Sequence, residues 1–224
     1  MRCVIFDLDG TLADTSGDLI AAANSCFRAF GAGDLLDPKR DSKTAMRGAR
    51  AMLRLGFSRL EGMTEAEHEA AIEAQFLPLI GYYDRAIDIH TYLYPGAMAA
   101  VEQLKADGYS VGICTNKPEA LAEKLLQSLG IRGAFASLVG SDTLPVRKPD
   151  PAPLIEAARR AGGNPARMCL IGDTDTDRNT AKAAKVPSVL VTFGPAGGEM
   201  AALAPEALLD HFDQLPDVVT GLGL

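Results

Sequence analysis

The sequence predicts a doubly wound α/β core built on a parallel sheet, Rossmann-like in layout, with a small α-helical cap domain inserted near its start. Three observations carry this expectation. Short apolar runs rich in β-branched residues recur along the chain, each bounded by Gly, Pro, Asp, Asn or Thr. Segments of helical periodicity separate them. The alternation fails once, over residues 15–88, where helical patterns follow one another with no convincing strand.

The apolar runs are Cys3–Phe6, Tyr109–Cys114, Ser137–Val139, Met168–Ile171 and Ser188–Val191. Their hydrophobicity is continuous rather than alternating, the pattern of strands covered on both faces by helices. Ala97–Asp107, Glu119–Gly130 and Pro151–Ala161 carry the helical pattern between them, so successive strands should run parallel. In such a sheet, ligand-binding residues gather beyond the carboxyl ends of the strands. Within the interruption, Ser16–Phe30, Ser42–Phe57 and Thr64–Tyr83 read as three helices. Thr64 and Glu67 have capping-box spacing, and Asp37-Pro38 and Gly62 punctuate the joins. A strand-to-helix connection is normally a few residues long, so this segment is expected to be a separate unit. Residues 1–14 and 89–224 then form the core, and 15–88 the cap.

Composition narrows the function. Of 224 residues, 47% are hydrophobic, enough for a full core with one insertion, and the net charge of -7 opposes adhesion to nucleic acid or anionic lipid. Small molecules are the expected partners. Arg2, Asp7 and Asp9 interrupt the first apolar stretch, and no apolar run approaches the roughly 20 residues a membrane helix needs, so a cytoplasmic location with no membrane contact is expected. Cys3, Cys26, Cys114 and Cys169 show no C-x-x-C pairing and read as reduced core residues.

Charged residues collect where the strands end. The first strand runs into Asp7-Leu8-Asp9-Gly10-Thr11, and period-two alternation puts both carboxylates on one side, where they repel unless a cation or proton intervenes. The second ends at Thr115-Asn116-Lys117, whose hydroxyl and amide suit either an oxyanion or a helix cap. Lys148 precedes two prolines in Arg147-Lys148-Pro149-Asp150-Pro151. The fourth ends at Gly172-Asp173-Thr174-Asp175-Thr176-Asp177, three carboxylates within five residues. Together these segments would bring carboxylates, a hydroxyl, an amide and an ammonium to one sheet edge. So acidic an oxygen-only site calls for a divalent cation, with Mg2+ favoured.

These motifs resemble those of the haloacid dehalogenase superfamily, in its phosphoglycolate-phosphatase-like branch. The likeness rests on D-L-D-G-T-L-A-D-T at Asp7–Thr15, T-N-K at Thr115–Lys117, R-K-P-D-P at Arg147–Pro151 and G-D-T-D-T-D at Gly172–Asp177. The resemblance implies a Mg2+-dependent phosphatase acting on a small phosphorylated metabolite. Asp7 would be the nucleophile that becomes phosphorylated. Asp9 would be the general acid and base, and Thr115, Asn116 and Lys148 would bind the phosphoryl group. Asp7, the carbonyl of Asp9, Asp173 and Asp177 would hold the metal, Asp177 directly or from behind. Dehalogenase-type members lack the second aspartate, so Asp9 marks a phosphate-transfer member. Two alternatives stay open at this point: a phosphosugar mutase of the same superfamily, and a non-enzymatic aspartate phospho-acceptor domain.

In the family the insertion is a mobile lid that shapes specificity. Asp14-Thr15 and Tyr94-Pro95-Gly96 stand where its hinges would be. Arg47, Arg50 and Arg54 are spaced to share one face of the second cap helix, and Arg47, beside Gly48, is the choice for a substrate carboxylate. Lys185 stands where nearer members carry glycine, and should alter a helix cap without touching the chemistry.

Overall fold

The structure, a computed structural model, describes residues 1–224. In chain order its elements are β1 (Cys3–Phe6), β2 (Ala13–Asp14), α1 (Ser16–Ala29), α2 (Pro38–Ala45), α3 (Ala49–Phe57), α4 (Glu65–Arg85), β3 (Tyr92–Leu93), α5 (Ala97–Ala106), β4 (Ser110–Cys114), α6 (Glu119–Ser128), β5 (Ser137–Val139), α7 (Ala152–Arg160), β6 (Met168–Gly172), α8 (Asp175–Ala184), β7 (Ser188–Val191), β8 (Ala207–Leu209) and α9 (Leu215–Gly221). Two compact units result. One comprises Met1–Asp14 with Leu93–Leu224, the other Thr15–Tyr92.

The first unit is built on a six-stranded sheet in the order β5-β4-β1-β6-β7-β8, with every pairing parallel. All residues of β1, β4, β6 and β7 are buried, which is why their sequences are apolar apart from Ser110 and Ser188 at the strand starts. Leu154, Ala157 and Ala158 of α7 pack on Cys3, Ile5, Met168 and Leu170, closing one face. The sixth strand, β8, is a correction to the sequence reading. Leu208 is exposed and Ala207 half-buried, so this short edge strand never presents the apolar run that marks its neighbours. All four cysteines are free and buried.

The second unit is helical. Asp37 caps α2, its carboxylate accepting from the backbone of Lys39 and Arg40, with Pro38 in the first helical position. The expected single helix Ser42–Phe57 is two helices, because Gly48 takes a φ of +88° between them, a left-handed conformation that breaks the ladder. Thr64 and Glu67 form the expected capping box of α4. The Phe57 ring meets those of Phe27 and Phe30 edge-on, each at 5.2 Å, and the Asn24 side chain pins Leu36 through both its backbone groups. This unit ends later than Asp88. After α4 stops at Arg85, His90 and Thr91 still donate their backbone N–H groups to Asp18, in the first turn of α1. No helix of either unit is long and apolar enough to cross a membrane.

Candidate active site

β1 lies between β4 and β6 in a register that sets Phe6 beside Ile113 on one side and Ile171 on the other. The three strands therefore deliver their motifs at the same height, and residues far apart in sequence reach one rim. Asp7 is fixed first, its N–H donating to the Ile171 carbonyl at 2.8 Å. Gly10, at a φ of +81°, turns the chain immediately beyond, and its N–H closes on the Ala13 carbonyl.

The Lys148 ammonium is almost fully buried and lies 3.1 Å from Asp7 Oδ1 and 2.6 Å from Asp177 Oδ1. Asp7 Oδ1 also accepts from the Leu8 N–H at 2.8 Å. Asp177 Oδ2 accepts from the backbone of Asp173 and Thr174 and from the Thr174 hydroxyl, forming the capping box of α8. Asp177 packs against Gly172 so closely that a Cβ there would lie 2.4 Å from its carboxyl carbon. Asp173 takes the Thr11 hydroxyl on Oδ1 at 2.8 Å, while its Oδ2 is buried with no hydrogen-bond partner.

Burial and like charge shape these groups. Asp7 is pushed up to about 6, chiefly by burial, with Lys148 pulling the other way and Asp177 and Asp9 adding to the rise. Asp173 is raised well above the usual carboxylate range for the same leading reason, with Asp177 and Asp7 next. Burial pushes Lys148 down, but Asp177 and Asp7 outweigh it and hold the ammonium charged. A cation would relieve this arrangement. Asp7, Asp173 and Asp177 each offer a carboxylate oxygen within 4.8 Å of the others, and the orphaned Asp173 Oδ2 is an atom that such an ion would satisfy. Oxygen donors alone suit a hard divalent ion.

The other residues singled out in the sequence are placed as follows. Thr115, at the end of β4, is buried, and its hydroxyl accepts from the Lys117 N–H at 3.2 Å. Asn116 is exposed, and its Nδ2 donates to the Lys148 carbonyl at 3.1 Å, tying the two loops together. The Asp9 carboxylate turns to Lys117, whose Nζ is 2.8 Å from Oδ1 with only 4% of the side chain exposed. Sequence reasoning passed over Lys117. The available signal was an ammonium two residues beyond Thr115 at a strand end.

In the cap unit the arginine stripe needs correction. Arg47 is exposed in the turn between α2 and α3 and does not share a helix with the others. Arg50 pairs with Glu73 and stacks on Phe76, while Arg54 grips both carboxylate oxygens of Glu69.

Fold and rim together define a class: an α/β enzyme with a cluster of buried carboxylates beyond the carboxyl ends of a parallel sheet. Comparison with known proteins narrows it. A family model for haloacid dehalogenase-like hydrolases matches residues 1–185. A phosphoglycolate phosphatase of Mesorhizobium japonicum is 36% identical across 95% of this chain and 92% of its own length. One from Cereibacter sphaeroides is 32% identical over 99% of both chains. Among solved structures, a predicted phosphoglycolate phosphatase from Haemophilus somnus superposes with a TM-score of 0.82 at 25% identity, covering 97% of each chain. The chain belongs to the haloacid dehalogenase-like hydrolase family, in its phosphoglycolate-phosphatase-like branch. It is a phosphoric monoester hydrolase that acts on a small phosphorylated substrate, and the phospho-acceptor alternative falls.

Proposed function

We propose that the protein is a Mg2+-dependent phosphatase for a phosphoglycolate-like monoester, working through a phosphorylated Asp7. The observation that carries this reading is the placement of Lys148. Its ammonium sits against Asp7 Oδ1 and opposes the burial that favours the protonated carboxyl, leaving Oδ2 as the oxygen for phosphorus. As the new bond to phosphorus forms, the ester P–O bond breaks and the departing oxygen takes a proton from Asp9. Water then attacks phosphorus, gives its proton to Asp9, and the Asp7–phosphate bond breaks to release inorganic phosphate. The Thr115 hydroxyl and Asn116 amide serve the phosphoryl oxygens, and Lys148 neutralises charge that passes between nucleophile and phosphate.

Asp7, Asp173 and the carbonyl of Asp9 would hold the metal. Asp177 acts from behind them, because both its oxygens are committed to Lys148 and to the start of α8. The ion would supply charge neutralisation among the carboxylates and the anionic substrate. The helical unit serves as the lid. Arg50 and Arg54 are engaged by glutamates, which leaves Arg47 as the candidate for a substrate carboxylate. The names of the relatives support a phosphoglycolate-like substrate.

The test is phosphate release from phosphoglycolate and from a generic aryl phosphate, with and without Mg2+, together with rapid-quench trapping of the acyl-phosphate. Asp7→Asn should abolish both turnover and trapping. Asp9→Asn should still form the acyl-phosphate from the activated aryl ester while slowing its hydrolysis. Retained turnover in Asp7→Asn would refute covalent catalysis at Asp7.

A further inference from the structure

The rim holds two buried ammonium groups, and the proposed chemistry uses one. Lys117 is the other. Its side chain is 4% exposed, against 18% for the Asp9 it meets at 2.8 Å. Taking an ammonium out of water is costly, so its position calls for a role that a surface lysine could not fill. The backbone around it is fixed on three counts. Its N–H donates to the Thr115 hydroxyl, its carbonyl accepts from the Ser141 N–H at 3.0 Å, and Pro118 follows and restricts its conformation. Lys117 is therefore an anchored group, whereas Asp9 is a short side chain at the open edge of the rim.

We propose that Lys117 is a positioning residue for the reaction: by holding Asp9 Oδ1 it sets the orientation in which the Asp9 carboxyl meets first the departing oxygen and then water. The inference rests on the acid and base role assigned to Asp9 above. No bond to Lys117 forms or breaks. The proton passes from Asp9 to the ester oxygen as that P–O bond breaks, and returns from water as hydrolysis proceeds. The two lysines divide the work. Lys148 serves the nucleophile and Lys117 the proton carrier.

Leaving-group dependence tests this, because a nitrophenolate departs with little help from an acid and an alkoxide does not. Lys117→Met, Lys117→Arg, Asp9→Asn and the double variant Lys117→Met/Asp9→Asn would be assayed with p-nitrophenyl phosphate and with an alkyl phosphomonoester, under Mg2+. Rapid quench would separate the nitrophenolate burst from steady-state phosphate release. For Lys117→Met, we expect turnover of the alkyl ester and the steady-state phase to fall about 10- to 100-fold, within the range general acid–base groups supply. The burst should stay within several-fold of the parent and KM should hold. Lys117→Arg should recover part of the loss. The double variant should be no slower than Asp9→Asn alone, since the two side chains act as one unit.

A nitrophenolate burst that falls as far as alkyl-ester turnover does, or additive losses in the double variant, would overturn the proposal and leave Lys117 a structural residue. If Asp9→Asn itself fails to discriminate between the esters, the reading of Asp9 falls. If Asp9→Asn discriminates and Lys117→Met does not, only the positioning role falls. Should Lys117→Met fold poorly by circular dichroism, Lys117→Gln is read against the same criteria.

Discussion

The two units bury charge to different ends. In the helical unit the buried carboxylates, Asp18 and Asp41, tie backbone and neighbouring side chains together. Asp18 gathers the His90 and Thr91 N–H groups, and Asp41 accepts from Asp37 N–H and from both terminal nitrogens of Arg59. Each such carboxylate is satisfied, and its removal would loosen a local joint. In the α/β unit, Asp7, Asp173 and Asp177 crowd around the single Lys148, and one oxygen of Asp173 has no partner. That grouping costs stability when no cation is present. Charge buried at a cost to the fold is the physical mark of a functional site.

Four substitutions and one titration would break or sharpen this contrast. The largest effect is expected from Asp7→Asn, which should lower turnover by about 10⁴-fold or more while the melting temperature without metal holds or rises, because one repelling charge is gone. A collapse in melting temperature would make Asp7 structural. Lys148→Met should do the opposite to stability, costing about 3–5 kcal/mol in denaturant unfolding, since it leaves the carboxylates buried without their ammonium.

Next in size is a pH effect on the metal-free protein. Asp7, pushed up to about 6, and Asp173, raised well above its usual range, bind protons more tightly folded than unfolded. Their contribution is therefore present at low pH and lost as pH rises from about 4 through 6 and beyond. With EDTA the free energy of unfolding should accordingly fall between pH 5 and 7, and saturating Mg2+ should remove much of that decline. An identical slope with and without the ion would count against a cation among these carboxylates.

The helical unit should respond to packing instead. A Cβ on Gly56 would fall 2.1 Å from the Phe27 ring, so Gly56→Ala should cost about 1–3 kcal/mol by overpacking, read as a lowered melting temperature with no change in Mg2+ dependence. The smallest effect is a gain. Lys185 ends α8 at a φ of +58°, where an L side chain is strained, and Lys185→Gly should stabilise the protein by about 1 kcal/mol at unchanged kcat. A loss of activity there would tie that cap to the site.

Legibility in the sequence followed burial and locality rather than the division into units. The ends of β1, β4 and β6 could be read because fully covered parallel strands are continuously apolar, so the charged residues that interrupt them stand out. The edge strand β8 could not, since half of it faces water. The α2–α3 break was missed because Gly48 is one glycine in a periodic stretch, and periodicity does not report φ. The role of Asp18 in carrying the helical unit past Asp88 depends on groups more than seventy residues apart, as does the Lys117 pairing at a separation of 108. Spacing along a chain says which residues could meet at a rim, and only packing says which oxygen each ammonium takes.

The central place of β1 has a consequence for biosynthesis. Its neighbours come from the middle of the chain and from its last third, so a polypeptide emerging from the ribosome exposes the Asp7 segment well before β4, and later β6, can flank it. A product truncated before residue 168 would carry the Asp7 carboxylate without β6 to flank it and without Asp173 or Asp177 beside it.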